Sequence, residues 1–259
     1  MKKIGFLLDT RNKVGSGHFW RCFNLAKQLK KKINKNKYFF ITNTQNSFLL
    51  KFLKKNGIKN VKIKKIDNLK EIKKILYKFE IKFLIIDYYG LNSKKKLNLK
   101  KNVEKLIVID DFDNKTHNSH VYINNNFLLN TSIRKIKNKN RKARLLLGNK
   151  YQILNDKIIN FKRKICYRKE IKKILVFFGS YDLTNETFKF ISKASKLKKV
   201  KFYIPINNIN KNFSKNKTLL SKIKNVKLIQ NCTNERFLKI IAKCDISIGA
   251  GGVSLIEKI

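Results

Sequence analysis

The sequence predicts an α/β protein built from two Rossmann-like halves, and three observations support that fold class. Short apolar runs recur along the chain and alternate with longer segments whose apolar residues are spaced as on one helix face. This alternation is typical of parallel strands covered by helices. The pattern restarts near residue 174, after a polar, lysine-rich segment. A length of 259 residues also leaves room for two modest domains with buried cores.

The first half contains five apolar runs that we predict to be strands, at residues 4–8, 38–41, 83–86, 106–109 and 145–147. The clearest helix begins at His18, where apolar residues follow at steps of three and four, namely Cys22, Leu25, Ala26 and Leu29. We place this N-terminal domain at residues 1–160.

The second half contains four predicted strands, at residues 174–178, 200–204, 226–229 and 246–248. Helices are predicted to begin near Asn185 and Asn234. We place this C-terminal domain at residues 161–259 and expect it to be shortened, because a domain of this kind normally adds at least one more strand and helix. A ligand is expected at the carboxyl ends of the strands, in the crevice between the domains.

Composition and charge indicate which classes of partner the protein is not expected to bind. The formal net charge is +46, but lysine is spread along the whole chain together with asparagine and isoleucine, without a basic stripe interleaved with aromatics. We therefore expect no nucleic-acid partner, although the field should attract anionic substrates in a salt-sensitive way. The four cysteines are scattered, and no export signal or membrane-spanning segment is visible. We expect a cytoplasmic monomer that does not bind membranes.

The loop from Asp9 to His18 contains the pair Gly15 and Gly17 and leads from a strand into a helix. Free backbone N–H groups and the positive end of the helix dipole meet at such a point, which suits an anion or a nucleotide sugar. His18 stands at the helix start and can exchange a proton near neutral pH, so we predict a catalytic base. The alternative is that the glycines serve only the turn.

Two further loops follow predicted strands of the first half. Asp87 and Tyr89 follow the third predicted strand, where the tyrosine is the better candidate for substrate contact and the aspartate could simply cap the next helix. The next strand is followed by Asp110 and Asp111, with His117 close behind. Their spacing fits no defined metal motif, and adjacent side chains on a strand point to opposite faces, so we predict no metal.

Two loops of the second half suit a diphosphate. Gly179 permits close backbone approach after a strand, and Ser180 can donate to phosphate. The element Gly249-Ala250-Gly251-Gly252 precedes a predicted helix start, and Glu257 lies about one turn inside that helix, where a carboxylate could accept hydrogen bonds from ribose hydroxyls.

These elements together resemble the UDP-sugar hydrolase family of pseudaminic acid biosynthesis. The resemblance runs from Gly-x-Gly-His-x-x-Arg-Cys at 15–22 through Asp-x-Tyr-Gly at 87–90, the Asp-Asp pair and Gly-Ser-x-Asp at 179–182 to the Gly-Ala-Gly-Gly element. It implies a two-domain GT-B fold related to MurG and inverting hydrolysis of UDP-2,4-diacetamido-2,4,6-trideoxy-β-L-altropyranose, without metal or cofactor. The chain departs from the family pattern at Leu7, Tyr88, Ser180, Tyr181 and His120.

The resemblance also implies roles for individual residues. His18 would be the general base that activates water. The substrate would be bound by Asp9, Gly15, Gly17, Arg21, Asp87 and Tyr89. The nucleotide would be bound by Gly179, Ser180, Asp182, Gly251, Gly252, Ser254 and Glu257. Two alternatives stay open: a GT-B glycosyltransferase that uses a UDP-sugar donor, and a nucleotide-sugar-binding relative without turnover.

Overall fold

The computed structural model describes residues 2–10, 17–32, 37–155, 170–206, 210, 212–230 and 232–250. The chain divides into two compact units, one formed by Met1–Val14 and His18–Ile153 and the other by Gly15–Gly17 and Leu154–Ile259. Among the described residues, no helix combines the length and the apolar character needed to cross a membrane.

The first unit contains a seven-stranded parallel sheet in the order β3-β2-β1-β4-β5-β6-β7. Its strands are β1 (Lys3–Leu8), β2 (Lys37–Thr42), β3 (Lys59–Lys62), β4 (Phe83–Asp87), β5 (Lys105–Ile109), β6 (Val121–Asn124) and β7 (Arg144–Leu147). The helices are α1 (Gly17–Lys32), α2 (Ser47–Lys55), α3 (Leu69–Lys78), α4 (Ser93–Lys100) and α5 (Asn130–Lys139), and a short 3₁₀ helix covers Asn149–Tyr151.

The five strands predicted for this unit are confirmed, but the sheet contains two more, β3 and β6. The sequence of β3 is Lys-Asn-Val-Lys, at the edge of the sheet and only half buried, so it lacks the apolar run that marks a buried strand. The β6 sequence, Val-Tyr-Ile-Asn, is buried but short. Its tyrosine and asparagine interrupt the apolar pattern. They can be buried because their polar atoms form internal hydrogen bonds.

Apolar layers cover both faces of the first sheet. Alternation along β1 sends Phe6 to the layer that holds Phe19 of α1, and sends Leu7 to the layer that holds Ile72 of α3. At the centre of β1 the packing is tight: a Cβ added at Gly5 would lie 2.9 Å from the Ile81 side chain. The strand is therefore fixed between two helical layers, and the loop at its carboxyl end has a rigid base.

The second unit is smaller. Its four-stranded parallel sheet has the order β10-β9-β8-β11, formed by β8 (Lys173–Phe177), β9 (Lys201–Ile206), β10 (Val226–Gln230) and β11 (Ile246–Gly249). The helices are α6 (Glu186–Ala194), α7 (Phe213–Leu220) and α8 (Asn234–Lys243). All four predicted strands and both predicted helix starts are confirmed within one or two residues. Val176 packs on one face of the sheet with Ile191, and Leu175 packs on the other with Phe237.

Candidate active site

The candidate active site of the first unit lies where strands β1 and β4 end side by side. Leu8, the last residue of β1, pairs in register with Asp87, the last residue of β4. The strand order reverses direction between these two strands, because β2 flanks β1 on one side and β5 flanks β4 on the other. Crevices at such a switch point are where open α/β sheets bind ligands. His18 lies in the first turn of α1, which follows β1.

His18 and Asp87 form a hydrogen-bonded pair. The Nδ1 atom of His18 is 2.6 Å from Oδ1 of Asp87, whose carboxylate is fully buried. An ionised carboxylate can only accept, so the Nδ1–H of His18 donates to Asp87. No described residue forms a hydrogen bond with Nε2, and the His18 side chain is 10% exposed. The pair therefore fixes the orientation of the His18 ring and leaves Nε2 without a hydrogen-bond partner among the described residues.

Arg21 holds the other side of the same carboxylate. It lies one helical turn after His18, so both side chains point from the same face of α1. Its Nε donates to Asp87 Oδ2 over 2.8 Å and its Nη2 to Oδ1 over 2.6 Å. Its Nη1 donates to Asp111, with distances of 2.8 Å and 3.1 Å to the two oxygens. The arginine thus connects two strand ends, β4 and β5.

The charges in this network fix the protonation states. Burial alone would raise the pKa of Asp87, but the Arg21 charge and the hydrogen bonds from His18 and Arg21 outweigh it and leave the pKa lowered. Burial opposes the charge on Arg21, yet Asp87 and Asp111 hold its pKa well above the usual value. Burial, and then Asp87, raise the pKa of Cys22, so the Cys22 thiol stays protonated, 3.6 Å from Asp87 Oδ2.

Tyr89 completes the network. Its ring packs edge-on against the His18 ring with centroids 4.8 Å apart, and its hydroxyl donates a short hydrogen bond to Asp111. Burial, followed by the Asp111 charge and hydrogen bond, raises the pKa of Tyr89 despite the opposing Arg21 charge, so the phenol keeps its proton. A tyrosine held in this way can contact a substrate at His18 without itself exchanging a proton.

Asp111 is the residue that the sequence reasoning missed as a site member. The sequence assigns the Asp110-Asp111 pair to the family resemblance and weighs it as a metal candidate, without a role for Asp111 itself. The structure sends the two carboxylates to different places: Asp111 to Arg21 and Tyr89, Asp110 toward Lys115 and His117. Among the described residues, no group of three or more His, Cys, Asp and Glu side chains could hold a metal ion. The adjacency of two acidic residues at a strand end was the available signal.

Other predicted substrate residues lie near the same edge of the sheet. Asp9 directly follows β1 and is buried, with 2% of its surface exposed. Gly17 is the first residue of α1, and a Cβ added there would meet nothing within 4 Å. Gly15 lies outside the described residues.

The second unit holds part of the predicted nucleotide loop. Gly179 follows β8 with φ +95°, a left-handed conformation that favours glycine. It lines a cavity of about 10 Å³ together with Ser180 and the buried Asn216. The Asp182 carboxylate accepts from the backbone N–H groups of Glu186 and Thr187, at the start of α6. The remaining predicted nucleotide residues lie outside the described residues: Gly251, Gly252, Ser254 and Glu257.

Comparisons with known proteins agree with this architecture. No protein-family model matches the chain. An uncharacterised protein of Methanocaldococcus jannaschii is 29% identical over 272 aligned positions, which cover 98% of this chain and 53% of that protein. The chain thus spans about half the length of the curated relative that it matches.

Solved structures with a similar fold include proteins bound to UDP or to a UDP-sugar. The MnaA–UDP structure from S. aureus superposes with a TM-score of 0.66 at 12% identity, covering 100% of this chain and 77% of that one. UDP-GlcNAc 2-epimerase of Neisseria meningitidis, bound to UDP-GlcNAc, gives 0.60 at 16% identity, covering 98% and 78%. MurG of Acinetobacter baumannii gives 0.57 at 11% identity, covering 99% and 74%. The predicted fold class, α/β with two Rossmann-like domains of the GT-B type, is confirmed, and the second unit is the smaller of the two.

Proposed function

We propose that the chain is a UDP-sugar hydrolase that uses His18 as general base. The observation that carries this proposal is the His18–Asp87 pair, because a buried carboxylate 2.6 Å from Nδ1 leaves Nε2 as a proton acceptor at the end of the sheet where ligands bind. The UDP and UDP-sugar complexes among proteins of the same fold support a UDP-sugar as the substrate class. From the sequence resemblance, we propose UDP-2,4-diacetamido-2,4,6-trideoxy-β-L-altropyranose as the substrate.

In the proposed reaction, Nε2 of His18 takes a proton from a water molecule as that water attacks the anomeric carbon. The new C–O bond forms on one face of the sugar while the bond to the UDP oxygen breaks on the other, so the configuration inverts. UDP leaves with the bonding electron pair. Asp87 stabilises the imidazolium that forms, because its negative charge already lies against Nδ1.

The geometry changes the roles proposed for two of the predicted substrate residues. The Asp87 carboxylate is buried and its oxygens accept from His18 and Arg21, while the Arg21 side chain is only 6% exposed. We therefore propose that both position His18 instead of binding substrate. Tyr89, which lies against the His18 ring, remains the proposed substrate contact, and the loop residues Asp9, Gly15 and Gly17 are proposed to surround the sugar.

For the nucleotide, we propose that Gly179 and Ser180 bind the diphosphate near the start of α6. The positive φ of Gly179 supports this, since it lets backbone N–H groups approach a ligand without a side chain in the way. Asp182 would shape this loop, because its carboxylate is already used by the α6 N–H groups. The proposal includes Gly251, Gly252, Ser254 and Glu257 on the grounds of the sequence motif alone.

A second candidate is a glycosyltransferase that passes the sugar to an acceptor hydroxyl. The similarity in fold to MurG and to UDP-dependent plant glucosyltransferases supports it. The same histidine would then take its proton from the acceptor, so the two reactions differ only in the nucleophile. The third candidate is a protein that binds UDP-sugars without catalysing a reaction.

The test is UDP release from the proposed substrate by purified protein, with EDTA present and no acceptor added, while NMR follows the free sugar. Formation of UDP and free sugar in equal amounts, with inverted anomeric configuration at early times, supports the hydrolase. UDP binding without release rules out the hydrolase for this chain. Release that depends on an added acceptor identifies the transferase. The proposed enzyme is a cytoplasmic monomer, which size-exclusion chromatography with light scattering checks for the oligomeric state.

A further inference from the structure

A second group of titratable side chains lies beside the candidate active site, and the proposed mechanism does not use it. Lys96 on α4, Asp110 directly after β5 and His117 in the β5–β6 loop are each no more than 1% exposed. The Nζ atom of Lys96 is 2.8 Å from His117 Nδ1, and His117 Nε2 is 3.8 Å from Asp110 Oδ2. We call these three residues the buried cluster.

The contacts determine which nitrogen of His117 carries the ring proton. A protonated lysine can only donate, so His117 Nδ1 must accept and the ring proton must be on Nε2, facing Asp110. At 3.8 Å this N–H is too far for a hydrogen bond, and both His117 Nε2 and Asp110 Oδ2 lack a hydrogen-bond partner among the described residues. The cluster is therefore a buried row of ammonium, imidazole and carboxylate. Lys96 and His117 are joined by a hydrogen bond, whereas His117 and Asp110 are not.

The pKa of Lys96 is lowered into the range where it can change its charge at mildly alkaline pH. Burial lowers its pKa to about 8, with the Asp110 charge acting in the opposite direction. Burial, helped by the charges of Lys96 and Lys115, lowers the pKa of His117 to about 3, so the ring is neutral. Burial raises the pKa of Asp110, although Lys115 and Lys96 oppose that shift.

Few other charges face the cluster. Lys115, in the same loop, places Nζ 3.6 Å from Asp110 Oδ2. The Tyr122 ring of β6 lies against the His117 ring with centroids 4.4 Å apart, and Asn140 after α5 accepts from the His117 backbone N–H. From α4, the Lys100 ammonium donates to a backbone carbonyl of the same loop. Asp111 acts on Asp110 through its charge. Lys115 therefore supplies the one further positive charge close to Asp110 within the described part of the chain.

The cluster also anchors the turn that carries Asp111. The other Asp110 oxygen accepts from the Phe112 backbone N–H over 3.0 Å. The Tyr122 hydroxyl donates to the carbonyls of Asp110 and Phe112, over 3.3 Å and 2.8 Å. Asp111, between these anchored residues, is the carboxylate that Arg21 and Tyr89 bind. Asp110 and Asp111 are adjacent in the chain, so a movement of Asp110 also moves Asp111 relative to Arg21 and Tyr89.

We propose that the buried cluster positions Asp111 in a proton-dependent way. When Lys96 releases its proton to solvent, Asp110 loses the positive charge that lies beyond His117, the 110–112 turn shifts, and Asp111 moves relative to Arg21 and Tyr89. The His18 environment changes with it. Lys96, His117 and Asp110 are thus positioning residues for the site, and this inference does not depend on which reaction His18 performs.

The experiment is a pH titration of the ¹⁵N-histidine-labelled protein by long-range ¹H–¹⁵N NMR, which reads the tautomer and environment of each of the three imidazoles. We expect His117 to keep its Nε2–H tautomer throughout and its Nδ1 signal to move with a midpoint of about pH 8, following Lys96. The His18 signals should show a step at the same midpoint. A step at His117 without one at His18 overturns the coupling to the site.

Two variants of the same helix sharpen the test. Lys96→Met removes the ammonium and should abolish the common step at His117 and His18, whereas Lys94→Met, an exposed neighbour on α4, should leave it unchanged. Persistence of the step in Lys96→Met overturns the assignment to Lys96. If Lys96→Met does not fold, Asp110→Asn replaces it: losing the Asp110 charge should move the step to lower pH, and an unmoved step refutes the proposal.

Discussion

The first unit contains two histidine–aspartate pairs near the same edge of its sheet, and they differ in geometry and in what surrounds them. His18 Nδ1 lies 2.6 Å from Asp87, with Arg21 clamping the carboxylate and the His18 side chain 10% exposed. His117 Nε2 lies 3.8 Å from Asp110, with Lys96 on the far side of the ring and no exposed surface. The same residue types therefore give a ring with one unpaired nitrogen among the described residues in one place, and a fully buried, neutral ring in the other.

The comparison shows that residue type alone does not predict a base. A histidine acts as a general base when its partner holds one nitrogen and the other nitrogen reaches the reactant. Asp87 holds Nδ1 of His18, and Nε2 has no hydrogen-bond partner among the described residues, whereas both nitrogens of His117 face protein groups. Substitutions and pH changes at the two pairs test this difference.

Replacing His18 should have the largest effect. His18→Asn should lower turnover by at least about 100-fold, the usual scale for loss of a general base, while UDP binding is retained. UDP release and calorimetric UDP binding measure the two quantities. The matched control is His120→Asn, since His120 accepts a backbone hydrogen bond at the opposite end of the strands. Normal turnover in His18→Asn would reduce His18 to a structural residue of the turn.

Replacing the partner of His18 should come next. In Asp87→Asn the amide can donate to Nδ1 and so favour the wrong tautomer, and we expect kcat to fall by about 100-fold, the lower end of what a general base contributes. Arg21 would also lose a buried counterion, which should lower the free energy of unfolding by about 3 kcal/mol. Steady-state kinetics and urea unfolding measure these changes. An Asp87→Asn variant with wild-type kcat would contradict the positioning role.

A smaller effect is expected at Tyr89. Tyr89→Phe keeps the ring against His18 but removes the hydroxyl that donates to Asp111, and the loss of one such hydrogen bond, about 1 kcal/mol, corresponds to about 5-fold in kcat/KM. Tyr203→Phe in the second unit is the control. Equal kinetics in wild type and Tyr89→Phe would place the hydroxyl outside the reaction.

The two pairs should also respond to pH at opposite ends of the scale. Asp87 has a lowered folded-state pKa, so its stabilisation is present above its ordinary value of 3.8 and is lost as the pH falls through the folded-state pKa. Lys96, with a pKa of about 8 against 10.5, binds fewer protons when folded, so stability should rise between these values. Tm against pH, compared with Asp87→Asn and Lys96→Met, measures both trends. If the curve of Tm against pH for Asp87→Asn runs parallel to that of the wild type, the acid-side trend does not come from Asp87. A parallel curve for Lys96→Met contradicts the alkaline trend assigned to Lys96.

Much of the fold could be predicted from the sequence because its central strands are buried on both faces and form continuous apolar runs. The helix starting at His18 was visible from the spacing of Cys22 and Ala26, which are both buried. The edge strand β3 was missed because half-exposed positions carry no apolar run. The position of His18 could also be predicted, since it follows a strand and opens a helix.

The partners of His18 were harder to predict. Arg21 and Asp87 were singled out as substrate residues because sequence reveals residue type and position but not which polar groups meet inside the fold. Lys96 carried no signal at all, because lysine is so frequent in this chain and α4 shows no clear amphipathic pattern. Its burial results from how α4 packs against the sheet.

The pairing of Leu8 with Asp87 has a consequence for how the protein can vary. Successive side chains on a strand face opposite sides, so a single-residue insertion or deletion within β4 would turn Asp87 away from His18 while leaving every ladder hydrogen bond available. Such a chain could still fold into a sheet, but it would lack the His18–Asp87 hydrogen bond. Insertions and deletions should therefore be tolerated in the outer loops, whereas selection for the His18–Asp87 pair should remove those within β4.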